Sequence, residues 1–417
     1  MKLWMKYTFS ACLGILLAFF LPENQILDII IRAVAEFSLR AGRFLVFPLA
    51  FFTLTVSVCQ LRRDQRLGKV ILKLLVLTSA AAGIYTLLAE GMSVIIPVNR
   101  IPILSDSTGW LSGIPFRNEQ FHPGFSEYLR QLLPVNAFQI FRQSADFILP
   151  ALIFAFILGT QLFHDMEEGE PVYNLFDSFS RMFYRMNTLF TRLLVLTLFS
   201  LSYESLNHIR RISDFSSYFS LIRLVLLATL IILTVVQPLA YFIITRKNPF
   251  REMRAFLPGI IVSLFSGDNF VNMLVMTRVL KENSGMKRKV SGLVLPFLTL
   301  FSRAGSALIA AISMLTILKS YSSLELTAFQ IFWVIGISIL VSFILFSQSY
   351  MGIYTALITA CTLYGRGLQD GYVLILPVLP FLLLIAGLLD ASNTAYLTLL
   401  FNDDREFRIP EDPEDFI

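Results

Sequence analysis

The sequence predicts an all-α polytopic membrane protein, and three observations carry that prediction. Of 417 residues, 56% are hydrophobic and only 15% charged, against about 45–50% and about 25% in soluble domains. Mean hydropathy is +0.69. Runs long enough to cross a hydrocarbon core of about 30 Å, roughly 20 residues in helix, recur along the whole chain, and in its last part short polar clusters interrupt them.

The first apolar run, 7–21, follows Lys2 and Lys6 and has the outline of a signal peptide. Pro22-Glu23-Asn24 follows it instead of a small-x-small cleavage pattern, so it reads as a retained first helix. The second span, 37–61, is entered by an amphipathic stretch, and the third is 67–96. A polar loop follows from 97 to about 126, then a broken fourth segment over 128–163. The fifth span covers 175–202 and the sixth 217–245.

Charge sets an expected orientation. With the N-terminus inside, Arg62, Arg63, Arg66 and Lys69, then Arg246, Lys247, Arg251 and Arg254, then Lys281, Lys287, Arg288 and Lys289 all fall inside, as the positive-inside rule asks. Asn207-His208-Ile209-Arg210-Arg211 lands outside, against the trend. The net charge of +5 is thereby explained by loops, and no nucleic-acid partner is expected. Three scattered cysteines (Cys12, Cys59, Cys361) offer no disulfide framework or metal motif. His122 and His208 fall in loops and His164 at a span end, which leaves a membrane-embedded enzyme without a base or metal ligands.

From Phe250 onward the pattern changes. The run 256–265 is too short to span and stops at Ser266-Gly267-Asp268-Asn269, and 270–280 then heads back to a basic loop. A segment that starts and ends on one side is a re-entrant hairpin, whose tip must sit in protein or a wet cavity. A helix from Ser291 then runs through Ser302-Arg303-Ala304-Gly305-Ser306 to about Leu318. The unit repeats: 329–346 reaches Ser347-Gln348-Ser349-Tyr350-Met351-Gly352 and returns through 355–363, and a last span, 373–401, carries a second expected break at Asp390-Ala391-Ser392-Asn393-Thr394. Paired interrupted segments in corresponding positions point to a mid-membrane transport site.

Arg303 and Asp390 are the principal candidates. An ionisable side chain at a helix centre costs roughly 2.5–3.5 kcal/mol on insertion scales and usually faces a cavity and pairs. These two are expected to approach each other or to share a bound ion or substrate; a purely structural ion pair is the alternative. Asp268 and Asn269 place side-chain oxygens beside the exposed N–H groups of the following half-helix, for ligand binding or simple N-capping. Ser392, Asn393 and Thr394 offer oxygen donors beside Asp390 suited to a small cation, although Ser and Thr in membrane helices more often bond to their own backbone. Arg43, Glu90, Asp146, Arg192 and Arg223 read as snorkelling or scaffold-pairing charges.

The order of six spans, hairpin, broken span, hairpin, broken span resembles the dicarboxylate/amino acid:cation symporters, the glutamate-transporter fold. Stretches in matching order carry the resemblance: Arg43-Phe-Leu-Val-Phe-Pro-Leu-Ala-Phe-Phe-Thr-Leu; Leu133-Pro-Val-Asn-Ala-Phe138 with Ile148-Leu-Pro-Ala-Leu-Ile-Phe-Ala-Phe-Ile-Leu-Gly159; Met276-Thr-Arg-Val-Leu-Lys-Glu282; and Leu295-Pro296 leading into Gly305-Ser306-Ala307-Leu308. Departures fall in the family's binding site. Its seventh-span Asn-Met-Asp-Gly-Thr, which helps hold sodium, reads Ser302, Arg303, Ala304, Gly305, Ser306. Its eighth-span Asp-x-x-Arg-Thr falls on Leu383, Ala386 and Gly387; the following Asn falls on Asp390 and the final Asp on Thr394. Two consequences stay open: the Arg303 guanidinium occupies the cation's place against Asp390, making coupling protonic or absent, or it binds an anionic substrate's carboxylate.

The resemblance implies eight transmembrane helices plus two re-entrant hairpins in glutamate-transporter-like inverted repeats. Residues 1–246 would be mainly scaffold, trimerisation and supporting spans, 247–402 the transport core, and 403–417 an acidic cytoplasmic tail. It implies a secondary-active symporter of a small anionic solute such as a dicarboxylate or acidic amino acid, working by alternating access as a homotrimer in the cell (inner or plasma) membrane, both termini cytoplasmic. Asp268, Asn269, Arg303, Ser306, Tyr350, Met351, Gly352, Asp390 and Thr394 are the expected substrate-binding residues. Ser302, Asp390 and Thr394 are the expected sodium ligands; no cofactor is expected, with sodium or a proton as coupling ion. The alternatives are a passive anion channel and a non-transporting homologue on the same fold.

Overall fold

The computed structural model describes residues 2–20, 25–96, 98–102, 136, 140, 148–163, 166–210, 215–284, 286–322, 327–344, 352–365 and 367–402. The fourth expected segment is described mainly at its end, and the 403–417 tail lies outside these residues, as do Tyr350 and Met351.

Helices follow the apolar runs and extend past several of them. In order they are α1 (Leu3–Phe20), α2 (Gln25–Arg63), α3 (Leu67–Ile95), α4 (Leu149–Gln161), α5 (Met166–Arg210), α6 (Phe215–Ile231) and α7 (Gln237–Thr245). A π-helical turn, Ile232–Val236, joins α6 to α7 just before Pro238, whose ring and missing N–H disturb the ladder of the preceding turn. Short α8 (Pro249–Met253) leads to α9 (Leu257–Ser266), α10 (Asn269–Val279), α11 (Arg288–Phe301), α12 (Ala304–Tyr321), α13 (Ala328–Ile344) and α14 (Gly352–Tyr364). A 3₁₀ stretch, Gly371–Val378, opens α15 (Leu379–Asn402). Among the described residues, seven such stretches are long and apolar enough to cross a membrane.

α9 and α10 pack against each other around a two-residue turn. Gly267 sits at φ 59° and closes α9 in a left-handed conformation, which glycine adopts without strain. Asp268 then opens α10 from extended backbone. Arms of 10 and 11 residues rise about 15 Å each at 1.5 Å per residue, half a hydrocarbon core.

The chain breaks again at Ser302 (φ −85°, ψ 57°) and Arg303 (φ −98°, ψ 34°), between α11 and α12. The second expected break does not form. α15 is continuous through Asp390–Thr394, and the irregular backbone of this segment lies earlier, at 371–378, around Pro377. The polar residues that suggested a break satisfy themselves within the helix: Ser392 Oγ donates to Leu389 O at 2.9 Å and Thr398 Oγ1 to Thr394 O at 2.7 Å. No proline lies in the chain between Pro380 and Asn402.

Two packing groups emerge. α1 and α2 lie along α5, and α4 lies along α2. α3 packs closely on α12 and also touches α13 and α6, so it joins the C-terminal half. α10 and α11 cross α2 where the groups meet.

Candidate functional site

The buried apolar residues fall into two large clusters, and the boundary between them runs through the candidate residues. One cluster holds Leu298 and Leu300 of α11 and Ala391 and Ala395 of α15. The other holds Ala304 and Leu308 of α12 and Leu389 and Ala386 of α15. Ser302, Arg303, Ser306, Asp390 and Asn393 therefore sit on a polar seam between two apolar cores, and all five are buried.

The broken helix needs this seam. Its second half begins with backbone N–H groups that no preceding turn accepts. Asp390, reaching across from α15, accepts the Ser306 N–H through Oδ1 at 3.0 Å and the Ser306 hydroxyl through Oδ2 at 2.5 Å. A carboxylate is thus placed at the positive end of an 18-residue helix, where the macrodipole favours negative charge. The Arg303 Nη1 lies 3.8 Å from Asp390 Oδ2, with both side chains at 4% exposure or less. Close approach makes this possible: a Cβ on Gly305 would fall 2.3 Å from Leu389 Cβ and 2.9 Å from Asp390 Oδ1.

Neighbouring residues fix the geometry. Asn393 Nδ2 donates to Ser302 Oγ at 2.7 Å, holding the first residue of the break to α15. Gln237 Nε2 reaches both Tyr85 OH (2.5 Å) and Ser392 Oγ (2.9 Å), tying α7 and α3 to the same helix. Ser263 Oγ donates to Gly387 O at 2.8 Å, docking α9 one turn below Asp390. Gln237 and Tyr85 were not singled out from the sequence. An amide inside the apolar run 217–245, next to a proline, was the available signal.

At the hairpin tip Asp268 has two jobs. Its Oδ1 accepts from Phe270 N (2.8 Å) and Val271 N (3.4 Å), capping α10, while Oδ2 accepts from Arg43 Nε at 2.8 Å. Arg43, read from sequence as a scaffold charge, therefore links α2 to the tip. Asn269 is buried beside it. Thr394 is also buried and gives its carbonyl to Thr398. Gly352 starts α14, and its carbonyl accepts from Thr355.

In the expected sodium set of Ser302, Asp390 and Thr394, the first two are already engaged within the protein. Ser302 Oγ already accepts from Asn393, both Asp390 oxygens accept from Ser306, and a guanidinium stands beside them. A second cation against Asp390 would face Arg303 at close range.

A helical hairpin, a broken helix and buried opposite charges on a seam between two apolar cores define an all-α polytopic membrane protein. More narrowly, the chain belongs to the sodium:dicarboxylate symporter family, which it matches over residues 3–400. This is a family of transporters, not enzymes. The chain is 29% identical over 101 residues to neutral amino acid transporter A of Homo sapiens, covering 24% of this chain and 19% of that protein. It is 22% identical over 216 residues to excitatory amino acid transporter 1 of Mus musculus, covering 51% of this chain and 39% of that protein. With neutral amino acid transporter B(0) of Oryctolagus cuniculus it shares 26% over 170 residues, or 40% of this chain and 31% of that protein. The aligned parts thus span between about a fifth and two fifths of these relatives' lengths.

Proposed function

We propose that the protein is a secondary-active transporter of a small organic anion, a dicarboxylate or an amino acid, in which Arg303 receives a substrate carboxylate. The observation that carries this reading is the guanidinium on the seam, at the N-terminus of α12, where helix dipole and fixed charge both favour an anion. Asp390 fills that position in the present structure. A substrate carboxylate would share or displace it, so binding would exchange one anion for another without stranding the arginine. Dicarboxylates enter through the family and amino acids through the names of the relatives.

Carriage would be by alternating access. The packing supports a division in which α3, α6 and α7 travel with the elements after 249, while α1, α2, α4 and α5 form the fixed frame. This moves three helices of the 1–246 region into the mobile body. Arms about 15 Å long support a re-entrant first hairpin, and by resemblance to the family the second hairpin, whose tip lies outside the described residues, would be the outer gate. A trimer in the cell membrane with cytoplasmic termini completes the proposal. Arg303 beside Asp390 supports proton coupling, or none, over sodium held at Ser302, Asp390 and Thr394.

Uptake of labelled dicarboxylates and acidic amino acids into proteoliposomes tests the reading. Saturable uptake is expected, continuing when choline replaces sodium. Arg303→Gln is expected to abolish it while the purified variant still shows a cooperative thermal transition. Uptake that rises linearly with concentration would mark a channel, and uptake unchanged in Arg303→Gln would remove the arginine from the site.

A further inference from the structure

A cavity of about 280 Å³ lies among α2, α5, α10 and α11 and shares no lining residue with the seam. Thr53 of α2 and Arg181, Tyr184 and Arg185 of α5 line one side; Thr277, Lys281 and Arg288 line the other. Among the described residues, four of its lining side chains are cationic and none is a carboxylate. The nearby acids are already engaged. Asp177 serves two arginines at once, Arg288 through Oδ1 (2.6 Å) and Arg181 through Oδ2 (2.9 Å), and Glu282 is bound to Arg278 at 2.7 Å. Positive charge is therefore in excess across the gap.

Two further observations point to a ligand. Among the described residues the buried Tyr184 hydroxyl has no hydrogen-bond partner, an exception among buried polar atoms, and its ring carries Lys281 Nζ at 4.3 Å. Burial also holds the Lys281 ammonium below its ordinary value, with Glu282 opposing this and Arg288 and Arg185 adding to it, so an anion there would relieve it.

The rest of the lining mixes apolar Met273, Met286, Leu295 and Pro296 with the hydroxyls of Ser180, Thr188 and Ser291. Along α5 the exposed face passes from Arg181 and Arg185 to Leu189, Leu193 and Leu196, the last three at 51–67% exposure, with exposed Arg192 among them. Cations followed by a mainly apolar exposed face, with a long arginine able to snorkel, are what a helix presents where headgroups give way to acyl chains.

We propose that this cavity binds the phosphate headgroup of an anionic phospholipid, with the acyl chains lying along the apolar face of α5. Basic pockets between membrane helices hold such headgroups through fixed cations. Arg288, already fixed by Asp177 and Ser180, is a pre-set donor; Arg185 and Lys281 are the side chains that close on the phosphate. The site rests on the cavity and its charges and is independent of what the protein carries.

Thermal unfolding of the purified full chain, titrated with phosphatidylglycerol, phosphatidylcholine or inorganic phosphate, tests it. Phosphatidylglycerol is expected to raise the transition temperature, and the other two are not. At about fivefold in affinity per cation, Arg185→Gln with Lys281→Gln should weaken the phosphatidylglycerol effect roughly 25-fold. Arg63→Gln with Lys69→Gln, exposed cations outside the cavity, should leave it unchanged. Equal shifts with phosphatidylcholine would overturn the proposal, as would a full effect from phosphate alone. So would wild-type response in the cavity double variant, or equal loss in the outside one.

Discussion

The first and second hairpin-and-helix units carry polar clusters at corresponding places and fold them in different ways. In the first, the helix stops at Ser302 and Arg303 and restarts at Ala304. In the second, α15 runs unbroken through Asp390–Thr394. The difference shows how little of a site has to be irregular. The break in the first unit exposes N–H groups, and the intact helix of the second presents a carboxylate at a fixed register to accept one of them. A second break at Asp390 would expose another set of backbone groups with no opposing rigid helix to satisfy them.

The largest expected effect comes from removing the carboxylate. Asp390→Ala leaves Arg303 buried beside nothing of opposite charge on α15 and takes away the acceptor for Ser306 N–H. Breaking a buried pair in this way costs about 3–5 kcal/mol. Arg303→Met with Asp390→Leu should recover most of that, because a buried pair replaced whole by apolar side chains is often neutral. Thermal unfolding in detergent measures both. A single variant as stable as the parent would mean that the seam pair does not hold the broken helix to the intact one.

A glycine from each unit sharpens the same comparison. Gly305 lies where α12 meets α15, with Leu389 Cβ 2.3 Å from the place of an added methyl group, whereas Gly336 of α13 has nothing within 4 Å. Gly305→Ala should therefore force the helices apart and destabilise by about 1–3 kcal/mol. Gly336→Ala should gain up to about 1 kcal/mol of helix propensity. Equal shifts of transition temperature for the two would show that the crossing has slack.

Local signals made most of the fold legible in the sequence. Apolar runs located the spans, Gly267-Asp268 marked the hairpin turn, and Ser302–Ser306 contained the real break. The Arg303 and Asp390 side chains were singled out because charge in an apolar run is expensive wherever it stands. What sequence misjudged were choices settled by tertiary partners. Asp390–Thr394 looked like a breaker because its residues can leave a helix; they stay in it because Ser392 and Thr398 bond back to the helix and Asn393 finds Ser302. Arg43 looked like one scaffold charge among several, since its partner lies 225 residues away. Gln237 was hidden by its apolar neighbours, and its role depends on α3 and α15 meeting there.

The smallest expected effect concerns the link between hairpin tip and frame. Asp268 is fully buried, but Arg43 keeps 23% of its side chain exposed, so an arginine that loses this acid can turn toward the surface. Asp268→Asn retains an oxygen to cap α10 and should cost under about 1 kcal/mol, while Asp268→Ala loses the cap as well, typically about 1 kcal/mol more. A double-mutant cycle with Arg43→Gln isolates the pair. Coupling of about 0.5–1.5 kcal/mol would show that the tip is held to α2 through charge, in contrast to the seam, where helix and carboxylate are locked by burial. Coupling near zero would show that contact without energetic linkage suffices at the tip. The apolar packing of α10 on α2 would then carry that contact by itself.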